Sequence, residues 1–387
     1  MKSSTERILT THVGSLPRPD DLFEMMLARM DGMAVDEKAY TARLDAAVKD
    51  CVRQQREAGL DIVSDGEMGK PSFITYAASR LSGLKKREGF RPSPFANTRE
   101  TRDFPEYYQS TVAEQVSARR RRALMVCAGP IKYIGNAALK ADLDRLKAAL
   151  ANVKAAEAFV PAIAPSNVES TTPNEYYPTP EAYVVAIAEA MREEYRAIVD
   201  AGFLLQIDDP FLVTYYITRP DLDIAACRKW AELRVEALNT ALAGIPADRI
   251  RFHTCYSINM GPRINDMQLK DIVDIIVKVR AGAYSFEAAN PRHEHEWEDW
   301  QRIKIPDDKI LIPGAITQST VLVEHPELVA QRLARFATVV GRERVIAGAD
   351  CGFASFAGSN EVHPSIVWAK FKALVDGARL ASARLWK

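Results

Sequence analysis

The sequence predicts an α/β fold, a (β/α)8 TIM-like barrel, and three features of its 387 residues carry that expectation. Short apolar runs alternate with helical stretches along the chain, and several helices stop at a glycine just before the next run. The runs end in polar residues, the pattern of strand–helix units around a parallel sheet. The unit recurs too often for a small open sheet, and no linker, internal repeat or low-complexity segment interrupts it. Residues 1–387 therefore read as one barrel domain.

Taken in order, residues 11–15 form the first strand-like run. Residues 38–59 read as an amphipathic helix ending at Gly59, and 60–63 then deliver Ser64-Asp65-Gly66-Glu67. A run at 159–163 follows. The helix over 181–201 stops at Gly202, and 203–207 deliver Asp208-Asp209-Pro210. Residues 250–252 lead to His253-Thr254-Cys255, 284–286 to Glu287, and 310–312 to Pro313-Gly314-Ala315. Val345 and Ile346 lead into Gly348-Ala349-Asp350-Cys351-Gly352. With 123–128 this makes nine strand-like segments, one more than a barrel needs. The segment 123–128 is expected outside, because 85–122 before it breaks the pattern. That stretch is charged, contains proline and aromatic residues (Phe104, Tyr107, Tyr108), and reads as an inserted hairpin or excursion.

Composition excludes several function classes. Lys+Arg and Asp+Glu are both 51, so no basic excess favours nucleic acid or an anionic membrane. Hydrophobic residues at 47% and charged residues at 26% fit a soluble globular chain with a large core. No apolar run approaches a membrane span, and MKSSTERILTTHVGSLPRP lacks the apolar stretch of a secretory signal. Five scattered cysteines make no disulfide framework, and a reducing cytoplasm is expected. A Gly-rich phosphate loop, a dinucleotide fingerprint and a hydrolase nucleophile elbow are all absent from the sequence.

In such a barrel the C-terminal strand ends build the active site. Those ends carry Ser15, Glu67, Asp208, His253, Cys255, Glu287 and Cys351. Two thiols, an imidazole and a carboxylate are the ligand types of Zn²⁺. His253 and Cys255, two apart on one strand, point to one face. A cysteine in an apolar strand is equally a small buried hydrophobe, and His-x-Cys lacks zinc-finger spacing, so spacing alone leaves both readings open. His293 and His295 in PRHEHEWEDW read as part of a charged, solvated loop or helix start rather than a second metal site. Cys51 and Cys227 read as packing residues in helices, whereas Cys127 falls in the segment expected outside the barrel.

The pieces HVGSLP (12–17), SDGE (64–67), QIDDP (206–210), HTCY (253–256), SFEAANPR (285–292) and GADCG (348–352) span nearly the whole chain. In this order they resemble the catalytic C-terminal barrel of the cobalamin-independent methionine synthase family, here as a single-barrel relative. The resemblance implies that His253, Cys255, Glu287 and Cys351 bind Zn²⁺, and that Ser15, Glu67 and Asp208 hold the amino-acid part of homocysteine. It implies a zinc-dependent methyl (alkyl) transfer to a thiol acceptor, with Glu287 and Asp208 as catalytic candidates. Four protein ligands would close a zinc site, so Glu287, the one oxygen donor, is the ligand expected to be exchangeable. Each substrate residue has a plainer reading: Glu67 or Asp208 as a structural acceptor, as expected for Asp209, and Ser15 as a backbone partner.

Departures from the family concern the alkyl donor. PGAITQST places Ser319 where the family has a histidine, and His325 reads as a helix start before Pro326. APSNVESTTPNEYY lacks the family's folate-stacking tryptophan. The alternative within the superfamily is an epoxyalkane:coenzyme M transferase, whose sulfonate thiol would want cations such as Arg18, Lys70, Lys132 or Arg292, each of which otherwise reads as a solvated surface charge. A closed, structural zinc site is the reading different in kind. Partners are thus a small thiol and an alkyl donor, with no nucleic acid and no membrane. A homo-oligomer is compatible with the chain.

Overall fold

The computed structural model describes residues 1–90, 97–109, 123–256, 261–357 and 362–387. Its strands, in chain order, are β1 (Leu9–Thr10), β2 (Ile62–Val63), β3 (Leu84–Phe90), β4 (Ala123–Cys127) and β5 (Glu157–Ile163). They continue as β6 (Leu204–Asp208), β7 (Ile250–Thr254), β8 (Ala283–Phe286), β9 (Ile310–Ile316) and β10 (Ile346–Ala349). Eight of them pair in the order β1-β10-β9-β8-β7-β6-β5-β2, every pair parallel. The two end strands meet, because Asp61 N donates to the Thr10 carbonyl at 3.0 Å and Thr11 Oγ1 donates to the Ile62 carbonyl at 3.2 Å. The result is the expected eight-stranded parallel barrel wrapped by helices.

The ninth segment lies where it was expected. β3 and β4 form a separate antiparallel hairpin, pairing from Leu84↔Cys127 to Phe90↔Ala123. Short helices at Arg99–Asp103 and Pro105–Gln109 follow β3. Residues 91–96 and 110–122 of the expected excursion lie outside the described residues.

Two strand boundaries differ from the expectation. The first strand is Leu9–Thr10, and 11–15 runs on beyond it at the mouth. Gly14, with φ +135°, takes the chain off the extended path, and His12 turns to hydrogen-bond Gln55 at 2.8 Å. Val13 and Leu16, beyond the strand's end, are buried in the main apolar core. Conversely, β9 runs through Pro313-Gly314-Ala315, with Gly314 opposite Gly348. A Cβ at Gly314 would collide with Asp350 Oδ1, so only glycine admits this approach of β9 to the segment after β10.

Helix ends follow local chemistry. The Glu37–Glu57 helix starts at Asp36, whose carboxylate accepts from Lys38 N and Ala39 N. It buries Tyr40, Leu44, Ala47, Val48, Cys51 and Val52 on one helical face. The Pro180–Asp200 helix is capped by Thr179 and has proline in its first turn. Cys51 and Cys227 are buried helix residues, as read from the sequence. No described helix is long and apolar enough to cross a membrane.

The barrel interior changes character along its axis. Ile62, Phe159, Leu204, Ala283, Ile310, Ile312 and Ile346 form an apolar floor. Above it Gln206 and Arg251 stand opposite each other in register, and the next pair is Asp208 and His253. Side-chain alternation puts Leu204, Gln206 and Asp208 on one face, so the strand passes from floor to site in four residues. Arg251 is fully buried, donates to Thr11 Oγ1 at 3.0 Å and the His12 carbonyl at 2.7 Å, and lies 4.0 Å over the Phe159 ring.

Asp61 closes the ring at the β1–β2 seam. Its carboxylate accepts from Thr10 N at 3.0 Å, from Thr10 Oγ1 at 3.1 Å and from both terminal nitrogens of Arg7 at 2.6 and 2.8 Å. Asp61→Ala leaves the buried Thr10 N–H without its carboxylate acceptor, and is expected to lower the unfolding free energy by about 2–4 kcal/mol, measured by urea denaturation.

Candidate metal centre

His253, near the end of β7, and Cys255 just beyond it face Cys351, two residues past β10. β8 and β9 separate these strands in the sheet, so only curvature of the closed ring brings the three side chains together. The two sulfurs lie 3.0 Å apart, beyond disulfide length, and one ligand atom from each residue falls within 4.8 Å of the others. His253 Nδ1 meets Ser285 Oγ at 3.2 Å, while its buried Nε2 has no hydrogen-bond partner. Burial, helped by the Arg251 charge, pushes the imidazole pKa down to about 3 and keeps the ring neutral, the form that ligates metals. An orphaned nitrogen beside two sulfurs fits a borderline-soft dication, and the cluster could hold a metal ion.

Glu287 is buried nearby but is not a member of that cluster. Its Oε1 accepts from Tyr256 N at 2.9 Å, and its Oε2 accepts from Arg263 Nη2 at 2.8 Å and Asn290 Nδ2 at 2.7 Å. Of the four metal residues expected, the structure gathers three and holds the fourth by a guanidinium. Burial pushes the Glu287 pKa up, and Arg263 works against that shift. Arg263 adopts φ 55°, a left-handed conformation uncommon for a side chain of its size.

Asp350, next to Cys351, is fully buried and accepts from Ala288 N at 2.7 Å and Ala289 N at 2.8 Å. It thereby ties the Cys351 segment to the loop of Glu287. The sequence reading singled out neither Arg263, Asn290, Ser285 nor Asp350. The only signal for Asp350 was its place between the glycines of GADCG.

The expected substrate residues also converge. Leu16 N donates to the Gly66 carbonyl at 3.0 Å and Phe353 N to the Ser15 carbonyl at 3.0 Å, stitching three mouth loops together. Gln206 Nε2 donates to the Val13 carbonyl and, at 2.7 Å, to Asp208 Oδ1, which joins the Asp208 strand to the same loops. Ser15 Oγ meets Ser355 Oγ at 3.4 Å rather than a backbone group. Glu67 is buried with φ 55°, and Lys70 Nζ reaches its Oε1 at 3.1 Å. Burial first, then the Glu67 charge, pushes the Asp208 pKa well above the usual carboxylate range. Asp209 is the bystander it was expected to be: its Oδ1 accepts from Ser166, Asn167 and Leu212 N, and burial lifts its pKa to about 7.

The other candidates separate cleanly. Arg18 and Lys70 are buried rather than solvated surface charges, and Arg18 spends its guanidinium on the carbonyls of Ala354, Glu67 and Lys70, at 2.6, 2.8 and 2.7 Å. Lys132 and Arg292 are exposed. His325 caps the Pro326–Val340 helix, accepting from Glu327 N at 3.1 Å, as expected. Ser319 hydrogen-bonds Thr317 Oγ1 at 2.7 Å. Cys127 is buried in the hairpin strand β4, outside the barrel.

The solvated reading of His293 is wrong. Only His295 is exposed; His293 is 1% exposed, stacked 3.8 Å from the Tyr256 ring and bracketed by Asp266 at 3.0 Å and Glu296 at 2.8 Å. Carboxylates on both ring nitrogens turned a loop histidine into a core ion pair, which sequence pattern does not reveal.

A parallel barrel whose mouth gathers two thiols and an imidazole beside buried carboxylates is a barrel enzyme with a candidate metal site at its mouth. The chain belongs to the family described as cobalamin-independent synthase, catalytic domain, which it matches over residues 8–158 and 162–372. It is 26% identical over 344 residues to a methionine synthase of Thermococcus kodakarensis, covering 89% of this chain and 86% of that protein. A methionine synthase of Saccharolobus islandicus is 24% identical over 382 residues, covering 97% and 95%. Among solved structures, a B12-independent methionine synthase from Shewanella sp. W3-18-1, in complex with selenomethionine, shares the fold. Its TM-score is 0.71 at 19% identity, over 98% of this chain and 99% of that one.

The His293 cluster carries a pH signature. Burial lowers the imidazole pKa, but hydrogen bonds to Asp266 and Glu296 and the charges of Glu296 and Glu287 outweigh it and raise the pKa to about 9. A raised histidine stabilises fully below its unfolded value near 6.5 and loses that contribution as pH climbs through about 9. Wild-type stability is expected to fall by about 3 kcal/mol between those limits, and His293→Gln to flatten that slope in pH-dependent urea melts.

Proposed function

We propose that the chain is a zinc-dependent methyltransferase that methylates the thiol of homocysteine to give methionine, with residues 1–387 acting as one catalytic unit. The observation that carries this reading is the buried Cys255–Cys351–His253 cluster, with its orphaned His253 Nε2, beside the buried carboxylates Glu67 and Asp208. Relatives that match most of the chain bear the name methionine synthase, which supports the same acceptor.

His253, Cys255 and Cys351 would hold zinc, with Glu287 as the exchangeable fourth donor. Bound there, the ion would supply the acidity that converts a substrate thiol to its nucleophilic thiolate at neutral pH. Glu67 takes the substrate ammonium together with Asp208, whose raised pKa the arriving positive charge would lower again, in a pocket where burial strengthens opposite-charge attraction. Ser15 offers a hydroxyl to the carboxylate end of the amino acid. Arg263 gives the Glu287 carboxylate a charged partner and Asn290 a neutral amide donor, so Glu287 would not be a bare buried charge when it is not a ligand. The acceptor sulfur then attacks the methyl carbon in line: the S–C bond forms, and the donor departs with the electron pair of the broken bond. A reducing cytoplasm would keep both cysteines as thiols.

The coenzyme M alternative draws less support from the geometry. A sulfonate needs cations turned toward it. Arg18 is consumed by backbone carbonyls, Lys70 by Glu67, and Lys132 and Arg292 face solvent.

X-ray absorption at the zinc edge tests the acceptor: homocysteine is expected to add a sulfur neighbour, and 2-mercaptoethanesulfonate is not. Methyltetrahydrofolate, methylcobalamin and, with 2-mercaptoethanesulfonate, epoxypropane are assayed side by side. Methionine formation with a methyl donor supports the proposal, and thioether formation from the epoxide alone overturns it. Cys351→Ala is expected to weaken zinc binding on the order of 100-fold and abolish turnover, measured by chelator competition and product assay. Glu287→Gln should cost only about tenfold in zinc affinity; an equal loss would remove it as the exchangeable donor.

A further inference from the structure

Lys70 is a buried cation in a pocket assigned to binding another cation, and its contacts explain why it is there. Its Nζ donates to Glu67 Oε1 at 3.1 Å and to the Pro161 carbonyl at 2.6 Å, and lies 4.3 Å from the Tyr76 ring centroid. Tyr76 is itself fixed, donating to Glu194 at 2.8 Å and accepting from Ile163 N at 3.0 Å. Pro161 and Ile163 belong to β5, and Ile163 is the register partner of Asp208 on β6. Lys70 is therefore the tie between the Glu67 loop and the pair of strands that carries Asp208.

The Glu67 loop needs such a tie. Glu67 sits in a left-handed backbone conformation, held by Asp65, which accepts from its N–H at 2.9 Å, and by Arg18 on its carbonyl. These contacts fix the backbone but not the carboxylate. A carboxylate has about four acceptor positions, and Lys70 takes one on Oε1, so the group is neutralised and oriented yet still able to receive a second donor. Without the lysine, Glu67 would be a buried charge that has lost its ion-pair partner next to Asp208, and its carboxylate would be free to swing away.

We propose that Lys70 is a specificity-determining, positioning residue of the acceptor pocket, orienting Glu67 so that thiols bearing an ammonium group are preferred over thiols lacking one. This deepens the homocysteine reading and rests on it.

The test compares calorimetric binding of L-homocysteine and of 4-mercaptobutanoate, the same thiol acid without the amino group, to zinc-loaded protein. Wild type is expected to prefer homocysteine. Lys70→Met and Lys70→Gln, the latter keeping a donor but no charge, are expected to lose at least about tenfold in homocysteine affinity, the strength of one charge-assisted hydrogen bond. Binding of 4-mercaptobutanoate should change less than about threefold, and Lys70→Arg should restore most of the preference. Zinc content, measured on every variant, should stay at the wild-type value. A preference that survives in both uncharged variants overturns the role of Lys70 and leaves the homocysteine reading standing. Equal weakening for both thiols, or lost zinc, makes Lys70 merely structural and overturns it too. Wild-type protein that binds homocysteine no better than 4-mercaptobutanoate overturns both proposals together.

Discussion

Ring closure at the β1–β2 seam is the constraint on which the site depends, because the cluster residues sit on strands that are not neighbours. β7 and β10 are separated by two strands, and in an open twisted sheet their C-terminal ends would diverge. Bent into a ring, the same strands point their end residues at one axis, and two sulfurs 96 positions apart in the chain meet at 3.0 Å. The Asp61 carboxylate and the Thr10–Asp61 backbone bond therefore bear on the chemistry although they touch none of it.

The interior becomes more polar from floor to mouth. An apolar floor excludes water below, and Gln206 and Arg251 form an intermediate level. Three carboxylate-bearing groups at the mouth are held as ion pairs: Glu67 with Lys70, Glu287 with Arg263, and His293 with Asp266 and Glu296. Measured against well-packed apolar residues in the same place, such pairs add little net stability, since desolvation consumes most of the attraction. What they provide is orientation, because a paired carboxylate cannot rotate freely. Two of the paired residues, Glu67 and Arg263, have left-handed backbones, so local strain is concentrated at the mouth, where neighbouring contacts hold it in place.

Much of this was legible in the sequence. Strand–helix alternation gave the barrel, and the break in pattern over 85–122 put the 123–128 strand outside it. The strand ends name His253, Cys255, Glu287, Cys351, Glu67, Asp208 and Ser15 from sequence position alone, and the structure leaves Glu287 outside the cluster of His253, Cys255 and Cys351. That works because a strand end is a local property, set by where an apolar run stops. The boundaries that slipped are ones local pattern cannot see. Val13 and Leu16 join the main core beyond the end of their strand, and Pro313 and Gly314 continue a strand that their types would ordinarily end.

What the sequence determined by itself was the fold class and the set of chemical groups at the mouth, since both follow from periodicity and residue type along the chain. Only the tertiary structure decided how those groups pair. It gave Glu287 to Arg263, closed Arg18 onto three carbonyls, set Lys70 against Glu67 and buried His293 between two carboxylates. Those choices depend on distances between residues far apart in the chain, and Coulomb attraction and desolvation act through space rather than along the backbone.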